Sequence, residues 1–427
     1  MSMTENCEMN ILYQFNDKYA PYACVSMTSL FENNKAAQAI CVYILGEELS
    51  EESVRRLKSL AGNYGRRLVF VDTKELVEKM KSLGMPTYRG SYAANMRLFV
   101  DYLFEEGKGK CADDGSLETA DKCGEFEGEN RPSRLLYLDA DTIVTGSLEK
   151  LFGNEDDSIV TGSLEKLFGN EDDSIVTGSP EKLFGNVEGN SNDNIDVGGK
   201  SSASENDVRA ENYGTRIKTL GMVYDTLSNF HKYSIGLSET DGYYNSGVIL
   251  IDVDKWIEGR FSEKIVDHVK NVRAQYPSPD QDLINIVLQG EITTLPFEYN
   301  FQPHLRDYSY SAFTGRFKPA PFYSKAEVES ANSKPVILHA FRYLGEFPWH
   351  KGNCHPFNEE FDKYLAMSSW SDYEKKDSGA GFVMKAEQLL YRILPKSLFL
   401  SIFKIMHGRF YKKADKMSKK SMISSRM

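Results

Sequence analysis

Residues 134–144 read RLLYLDADTIV. The run is apolar up to Asp139, carries a second carboxylate at Asp141 and ends in Thr-Ile-Val, which predicts one buried strand over 134–144 that reaches the surface at its acidic residues. Asp139 and Asp141 are one residue apart, so on a strand they point to the same face and offer hard oxygen ligands suited to Mg²⁺ or Mn²⁺. A solvated strand end has the same sequence. The carboxylates gain chemical meaning only from what surrounds them.

Upstream, strand and helix patterns alternate. NILYQF (10–15) is an apolar run ending at Asn16-Asp17, and Ala20 to Asn33 reads as a helix. AICVYIL (39–45) is a second strand, Ser50-Glu-Glu caps a helix running to about Ala61, RLVFVD (67–72) is a third strand, and Tyr92 to Glu106 is predicted helical. Strands separated by helices imply an α/β fold with a mostly parallel sheet. Ligands of such sheets lie beyond the carboxyl ends of the strands, where Asn16 and Asp139-Ala-Asp141 fall.

Downstream, IVTGSLEKLFGNEDDS occupies 143–158 and again 159–174, identical at all sixteen positions, and a third copy at 175–190 keeps eleven of them. Three copies cannot share one slot beside the same strand, so one or two are expected to be surplus. The Asn/Ser/Gly-rich stretch 186–206 has no periodicity. Order resumes at Gly242: YYNSGVILIDVDKW leads through a turn into a strand, Ile257 to Val272 reads as a helix, SPDQDLINIVL opens a helix with Pro279 and Asp280 in its first turn, ITTLP and PVILHAF are extended, and Phe357 to Met367 is helical.

The 427 residues are 41% hydrophobic and 26% charged, ordinary globular usage that excludes a disordered chain, and six cysteines make no disulfide framework. Cys111 and Cys123 form no CxxC metal pair. The net charge of −11 argues against nucleic acid as a partner. It is unevenly spread: residues 385–427 hold eleven Lys/Arg against Glu387 and Asp415, a local +9 that leaves −20 on the remainder. The first ten residues lack an apolar signal core, and no apolar run approaches the ~20 residues of a membrane span, so the cytoplasm is the expected location.

Two family resemblances follow from these motifs. An apolar strand followed by DxDT is similar to the nucleophile motif of haloacid-dehalogenase-like phosphatases, but here it follows three earlier strands and no later acidic pair and lysine complete that pattern. DADTIV, YYNSGVILIDVDKW, PDQDLIN and His339 followed by Pro348-Trp349, in this order behind NILYQFNDKYAPYACVSMTSL, resemble glycosyltransferase family 8, with bacterial lipopolysaccharide and surface-glycan enzymes the nearest in appearance. The resemblance implies a single Rossmann-like nucleotide-sugar-binding domain of the GT-A type over about 10–365, with a mostly parallel sheet and insertions at about 107–133 and 159–208. A linker at 366–383 and a basic amphipathic helical tail at 384–427 would follow. It also implies a retaining hexosyltransferase that takes glucose or galactose from a UDP-sugar to a glycan or lipid-linked saccharide. A non-catalytic nucleotide-sugar binding protein is the alternative.

Residue by residue, the resemblance implies that Asp139, Asp141 and His339 hold Mn²⁺ or Mg²⁺. Asn16 and Tyr19 would hold uracil and ribose, Arg97 would face the diphosphate, and Asn245 and Gly247 would touch the donor sugar. Asp280 and Gln281 would stand beside the anomeric carbon. Because Gln281 is an amide and a poor nucleophile, it is assigned to support of a front-face substitution, with Asp280 binding a sugar hydroxyl. The family's His-x-x-Gly-x-x-Lys-Pro-Trp is here HAFRYLGEFPWHKGN, two residues longer, with Gly345 in the turn and Phe347 before Pro348. Arg342 or Lys351 is left to supply the missing charge. The tail's Leu389, Leu390, Ile393, Leu394, Leu398, Phe399, Ile402, Phe403, Ile405 and Met406, flanked by basic residues, suit an anionic membrane surface; the competing expectation is a helix packed on the acidic body.

Overall fold

The computed structural model describes residues 9–88, 90–104, 131–153, 217–226, 229–272 and 276–402. All of them belong to one compact unit. Of the insertion expected at about 107–133, residues 107–130 lie outside the described residues, as do the repeats beyond residue 153, the rest of the insertion expected to 208 and the tail beyond residue 402.

Nine strands are present among the described residues: β1 (Met9–Asn16), β2 (Ile40–Glu47), β3 (Arg67–Val71), β4 (Arg134–Leu138), β5 (Thr142–Val144), β6 (Leu220–Tyr224), β7 (Tyr244–Asp252), β8 (Ile292–Thr294) and β9 (Ile337–His339). Seven form one sheet in the order β3-β2-β1-β4-β7-β6-β8, and β5 pairs with β9. The pairs among β3, β2, β1 and β4 are parallel, as is β6 with β8, whereas β7 runs antiparallel to both its neighbours. The fold is therefore mixed α/β with a mainly parallel central sheet. β1 is buried along nearly its whole length, as expected of a strand covered on both faces.

Local chemistry accounts for the flanking elements. The helix Ala20–Asn33 starts with Pro21 in its first turn, where a missing N–H costs nothing. In Glu51–Tyr64 the Ser50 side chain accepts from Ser53 N, and Gly65 closes the end at φ 62°.

Three predicted elements are broken, each for a visible reason. The run 134–144 is two strands, because Asp139-Ala140-Asp141 turns the chain out of the main sheet and into β5. The segment predicted helical from Tyr92 is a 3₁₀ turn, Ala93–Leu98, followed by a short helix, Val100–Phe104; Arg97 N donates to Gln14 Oε1 at 2.9 Å instead of to a helical carbonyl. The helix expected over 257–272 is Val253–Glu258 and then Phe261–Asn271, divided at Arg260 with φ 51°. A Cβ on Gly259 would lie 2.2 Å from the Phe261 ring, so glycine lets that ring fold back into the core.

Residues 368–376, expected in a linker, lie against the body: Trp370 is buried, Arg56 pairs with Asp372 at 2.5 Å, and Tyr373 Oη meets Tyr22 Oη at 2.9 Å. No described helix is long and apolar enough to cross a membrane.

Candidate active site

Leaving the main sheet after Leu138, the chain places Asp139 and Asp141 at the carboxyl end of its central strand. Pairing of Thr142 with His339 across β5 and β9 then sets the imidazole against them. His339 Nε2 lies 3.3 Å from Asp141 Oδ1 and 3.7 Å from Asp139 Oδ2, and one ligand atom from each residue falls within 4.8 Å of the others. The other ring nitrogen, Nδ1, lies 3.1 Å from Asn300 Oδ1, an acceptor, so Nδ1 carries the proton and Nε2 is left for a metal. Burial alone would depress the His339 imidazolium; the Asp141 and Asp139 carboxylates outweigh it, and the pKa is raised.

Gly247 makes this packing possible. A Cβ there would stand 2.0 Å from His339 Cε1. The sequence assigns Gly247 to close approach of a sugar, but the group that approaches in the structure is the imidazole. Asn245 is likewise engaged within the protein, its Oδ1 accepting from Gly247 N at 3.0 Å and Asn300 Nδ2 at 2.9 Å, and its Nδ2 donating to Asp225 Oδ2 at 2.7 Å.

Arg97 is almost fully buried under the cluster. Its guanidinium donates to Asp139 Oδ1 at 2.9 Å and to Ser246 O at 2.6 Å, stands 3.5 Å from Asp280 Oδ2, and covers the Tyr137 ring at 4.0 Å. Tyr137 Oη also donates to Asp139. Arg97 therefore orients two carboxylates in this structure. Burial pushes the Asp280 carboxyl up, with Arg97 opposing and Asp139 reinforcing the shift.

Gln281 is fixed at both ends of its carboxamide. Oε1 accepts from Ser246 N at 2.9 Å, and Nε2 donates to Asp225 Oδ2 and Tyr243 Oη, each at 3.0 Å. A backbone N–H can only donate, which sets which end is oxygen. Behind it, fully buried Asp282 accepts from Tyr243 Oη at 2.7 Å and lies 2.8 Å from His231 Nε2.

At the end of β1, Asn16 Oδ1 is buried with no hydrogen-bond partner, and Tyr19 meets the rings of Tyr22 and Trp349 edge-on. The loop after β9 is arranged differently. Arg342 and Lys351 are exposed, and neither forms an ion pair with the Asp139–Asp141–His339 cluster; Arg342 Nε donates to Gly345 O at 2.9 Å. Gly345 turns at φ 77° against Met384 of the C-terminal helix.

Sequence reading missed Asn300, Asp225, Ser246 and Tyr243. Asp225 had a signal, since LGMVYD (220–225) repeats the apolar-strand-then-carboxylate pattern of RLLYLD. Asn300 had none.

The sequence model described as Glycosyl transferase family 8 matches residues 10–108 and 130–351, well over half of the chain. The chain belongs to that family. Among its relatives, a lipopolysaccharide 1,2-glucosyltransferase of Escherichia coli K12 is 30% identical over 141 residues, covering 32% of this chain and 37% of that protein. A lipopolysaccharide 1,3-galactosyltransferase of Salmonella typhimurium LT2 is 22% identical over 373 residues, 85% of this chain and 80% of the relative. In fold, this family 8 chain is similar to the apo structure of the bifunctional glycosyltransferase WbbM, with a TM-score of 0.54 at 15% identity, over 87% of this chain and 52% of that one.

Proposed function

We propose that this glycosyltransferase moves a hexose, glucose or galactose, from a UDP-sugar to a hydroxyl of a lipopolysaccharide or surface-polysaccharide acceptor at the cytoplasmic face, with retention of anomeric configuration. The observation that carries this reading is the Asp139–Asp141–His339 cluster, whose ligand atoms lie within 4.8 Å of one another at the carboxyl end of the central strand. Two hard carboxylates and an imidazole with its second nitrogen held by Asn300 fit Mn²⁺ or Mg²⁺. When bound, the ion supplies Lewis-acid stabilisation of the departing diphosphate. Asn16 Oδ1, buried without a partner, suits a donor on the uracil edge, and Tyr19, three residues on, is assigned to the ribose.

Asp280 is assigned to a sugar hydroxyl, and the fixed Gln281 dipole to positive charge developing at the anomeric carbon. An amide held at both ends is a poor nucleophile, so the acceptor oxygen enters on the face from which UDP leaves. The names of the two relatives support the acceptor class.

The test is a panel of UDP-sugars scored for slow donor hydrolysis with added Mn²⁺ or Mg²⁺. Turnover of a hexose donor that chelator abolishes is expected. Saturable UDP binding without turnover would make the chain a binding protein, and phosphate release from a phosphomonoester without need of UDP-sugars would make it a phosphatase.

A further inference from the structure

Behind Gln281 stands a polar network that the metal cluster does not use. It is separate from the contacts that join the loop after β9 to the C-terminal helix Phe382–Ile393, where Gln388 Nε2 donates to Leu344 O at 3.0 Å. Its members are Tyr243, Asp282 and His231, the first two buried and the third partly so. Tyr243 Oη lies 2.7 Å from Asp282 Oδ1, 2.9 Å from His231 Nε2 and 3.0 Å from Gln281 Nε2.

The protons of this network follow from which groups can only give and which can only take. Ser246 N donates to Gln281 Oε1, so the Nε2 end faces Tyr243 and donates both of its hydrogens, one to Asp225 Oδ2 and one to Tyr243 Oη. The single phenol proton is then left for the Asp282 carboxylate, which can only accept. Burial, reinforced by the Asp282 and Asp225 charges, pushes the Tyr243 phenol up, so its proton stays on oxygen. His231 Nε2 is 2.8 Å from the same Asp282 Oδ1 and therefore carries a proton as well.

We propose that Tyr243 is a positioning residue for Gln281, its lone pair turned to the carboxamide because Asp282, locked in place by His231, takes its proton. Without the phenol oxygen, one buried N–H of Gln281 has no acceptor and the amide is free to tilt about the line from Ser246 to Asp225. The consequence for sugar transfer rests on the proposed function; the hold on Gln281 does not.

The support behind Tyr243 is itself anchored. Asp282 Oδ2 accepts from Ser278 N at 2.9 Å, and Asp282 N donates to Ser278 O at 2.7 Å, which fixes the first turn of the helix Pro279–Val287 on which Asp280 and Gln281 stand. His231 belongs to the short helix Asn229–Ser234, and the next residue, buried Lys232, donates from Nζ to Glu239 O at 2.7 Å, to Asp241 O at 2.8 Å and to Ala320 O. Three carbonyls on two loops thus hold the imidazole's backbone, and the imidazole holds Asp282.

The experiment uses the full chain labelled with ¹⁵N-glutamine and compares the parent with Tyr243→Phe, which removes the oxygen alone. The side-chain amide resonances of Gln281 are identified by their absence in Gln281→Ala. They should be displaced in Tyr243→Phe, displaced less in His231→Leu, and largely restored in His231→Gln, whose amide N–H can still serve Asp282. Donor hydrolysis gives the second readout: kcat should fall about tenfold or more in Tyr243→Phe, while KM for the UDP-sugar and Mn²⁺ affinity stay within about twofold. In a Gln281→Ala background the same change should cost nothing further. Denaturant unfolding checks that the fold is kept, and His231→Leu, at a partly exposed position, carries the test should Tyr243→Phe fail to fold. Gln281 resonances that stay in place, or an equal loss of kcat with and without Gln281, would overturn the proposal. A parent protein that turns over no UDP-sugar would overturn the glycosyltransferase reading instead, and the resonances would still decide what holds Gln281.

Discussion

Where the carboxyl end of β4 meets the amino end of β7, Asp139, Asn245, Asp280 and Gln281 are each held by two or more partners, whereas the loop after β9 turns Arg342 and Lys351 to solvent and rests on the C-terminal helix. The two regions meet at His339, which belongs to β9 and faces the strand-end carboxylates. Strand ends keep their geometry because the sheet fixes the backbone on both sides. The loop has no ladder, and its turn takes φ 47° at Leu344 and 77° at Gly345, a conformation that its neighbours must hold. Substitutions in the first region are therefore expected to act on chemistry, and changes in the second on stability and access.

The largest expected effect separates two neighbouring carboxylates. Asp141→Asn and Asp139→Asn should each lower metal-dependent activity on the order of 100- to 1,000-fold. Only Asp139→Asn also removes a partner from buried Arg97. A fully buried pair broken in this way costs about 3–5 kcal/mol, reduced here to about 2 because Asp139 is 26% exposed and Asp280 remains 3.5 Å from the guanidinium. Donor hydrolysis and denaturant unfolding of both variants check this. Equal stability of the two would mean that Arg97 does not depend on Asp139, and full activity in Asp141→Asn would remove it from the metal site.

What the sequence made legible follows the same division. β1, β2 and β3 and the helix Ala20–Asn33 were readable because unbroken apolar runs and caps are local signals. The strand break after Leu138 was not, since β5 forms only by pairing with a segment almost two hundred residues away. Asp139, Asp141 and His339 were named from motif order, and the structure brings them together. Gly247 was noticed as a place of close approach, but which group approaches is a tertiary fact. Asn300 could not be found at all, because a buried asparagine after an aromatic run has no local pattern.

An intermediate effect belongs to the loop and comes from pH. Burial lowers the His304 pKa to about 4, its ring lying 5.5 Å from Tyr343 and 6.0 Å from Phe341, and lowers that of His355, which bonds Phe341 O, to about 3. The unfolded chain takes up these protons near pH 6.5, before the folded one does, so their contribution is complete above pH 6.5 and is lost as pH falls toward 4. For His304 the loss amounts to about 3 kcal/mol across that window. Denaturant unfolding between pH 7 and 4.5 should show stability falling with acid, and His304→Gln should flatten the slope. A flat profile in the parent protein would show that the imidazoles are reached by water and that the packing beneath the loop is looser than described.

The smallest effect sharpens the boundary at His339. Asn300 touches no ligand of the metal except through Nδ1 of that histidine, so Asn300→Ala leaves all three ligands in place and frees the ring to rotate or change tautomer. Outer partners of this kind typically change metal affinity or activity about 10- to 100-fold. Mn²⁺ titration of Asn300→Ala should show weaker binding in that range. Arg342→Ala combined with Lys351→Ala should leave Mn²⁺ affinity within about twofold, because exposed charges outside the cluster are screened by water and salt. The reverse pattern, with the loop variant losing metal and Asn300→Ala keeping it, would place the control of His339 in the loop and not in the strand-end network, since the imidazole would then be held by its backbone alone.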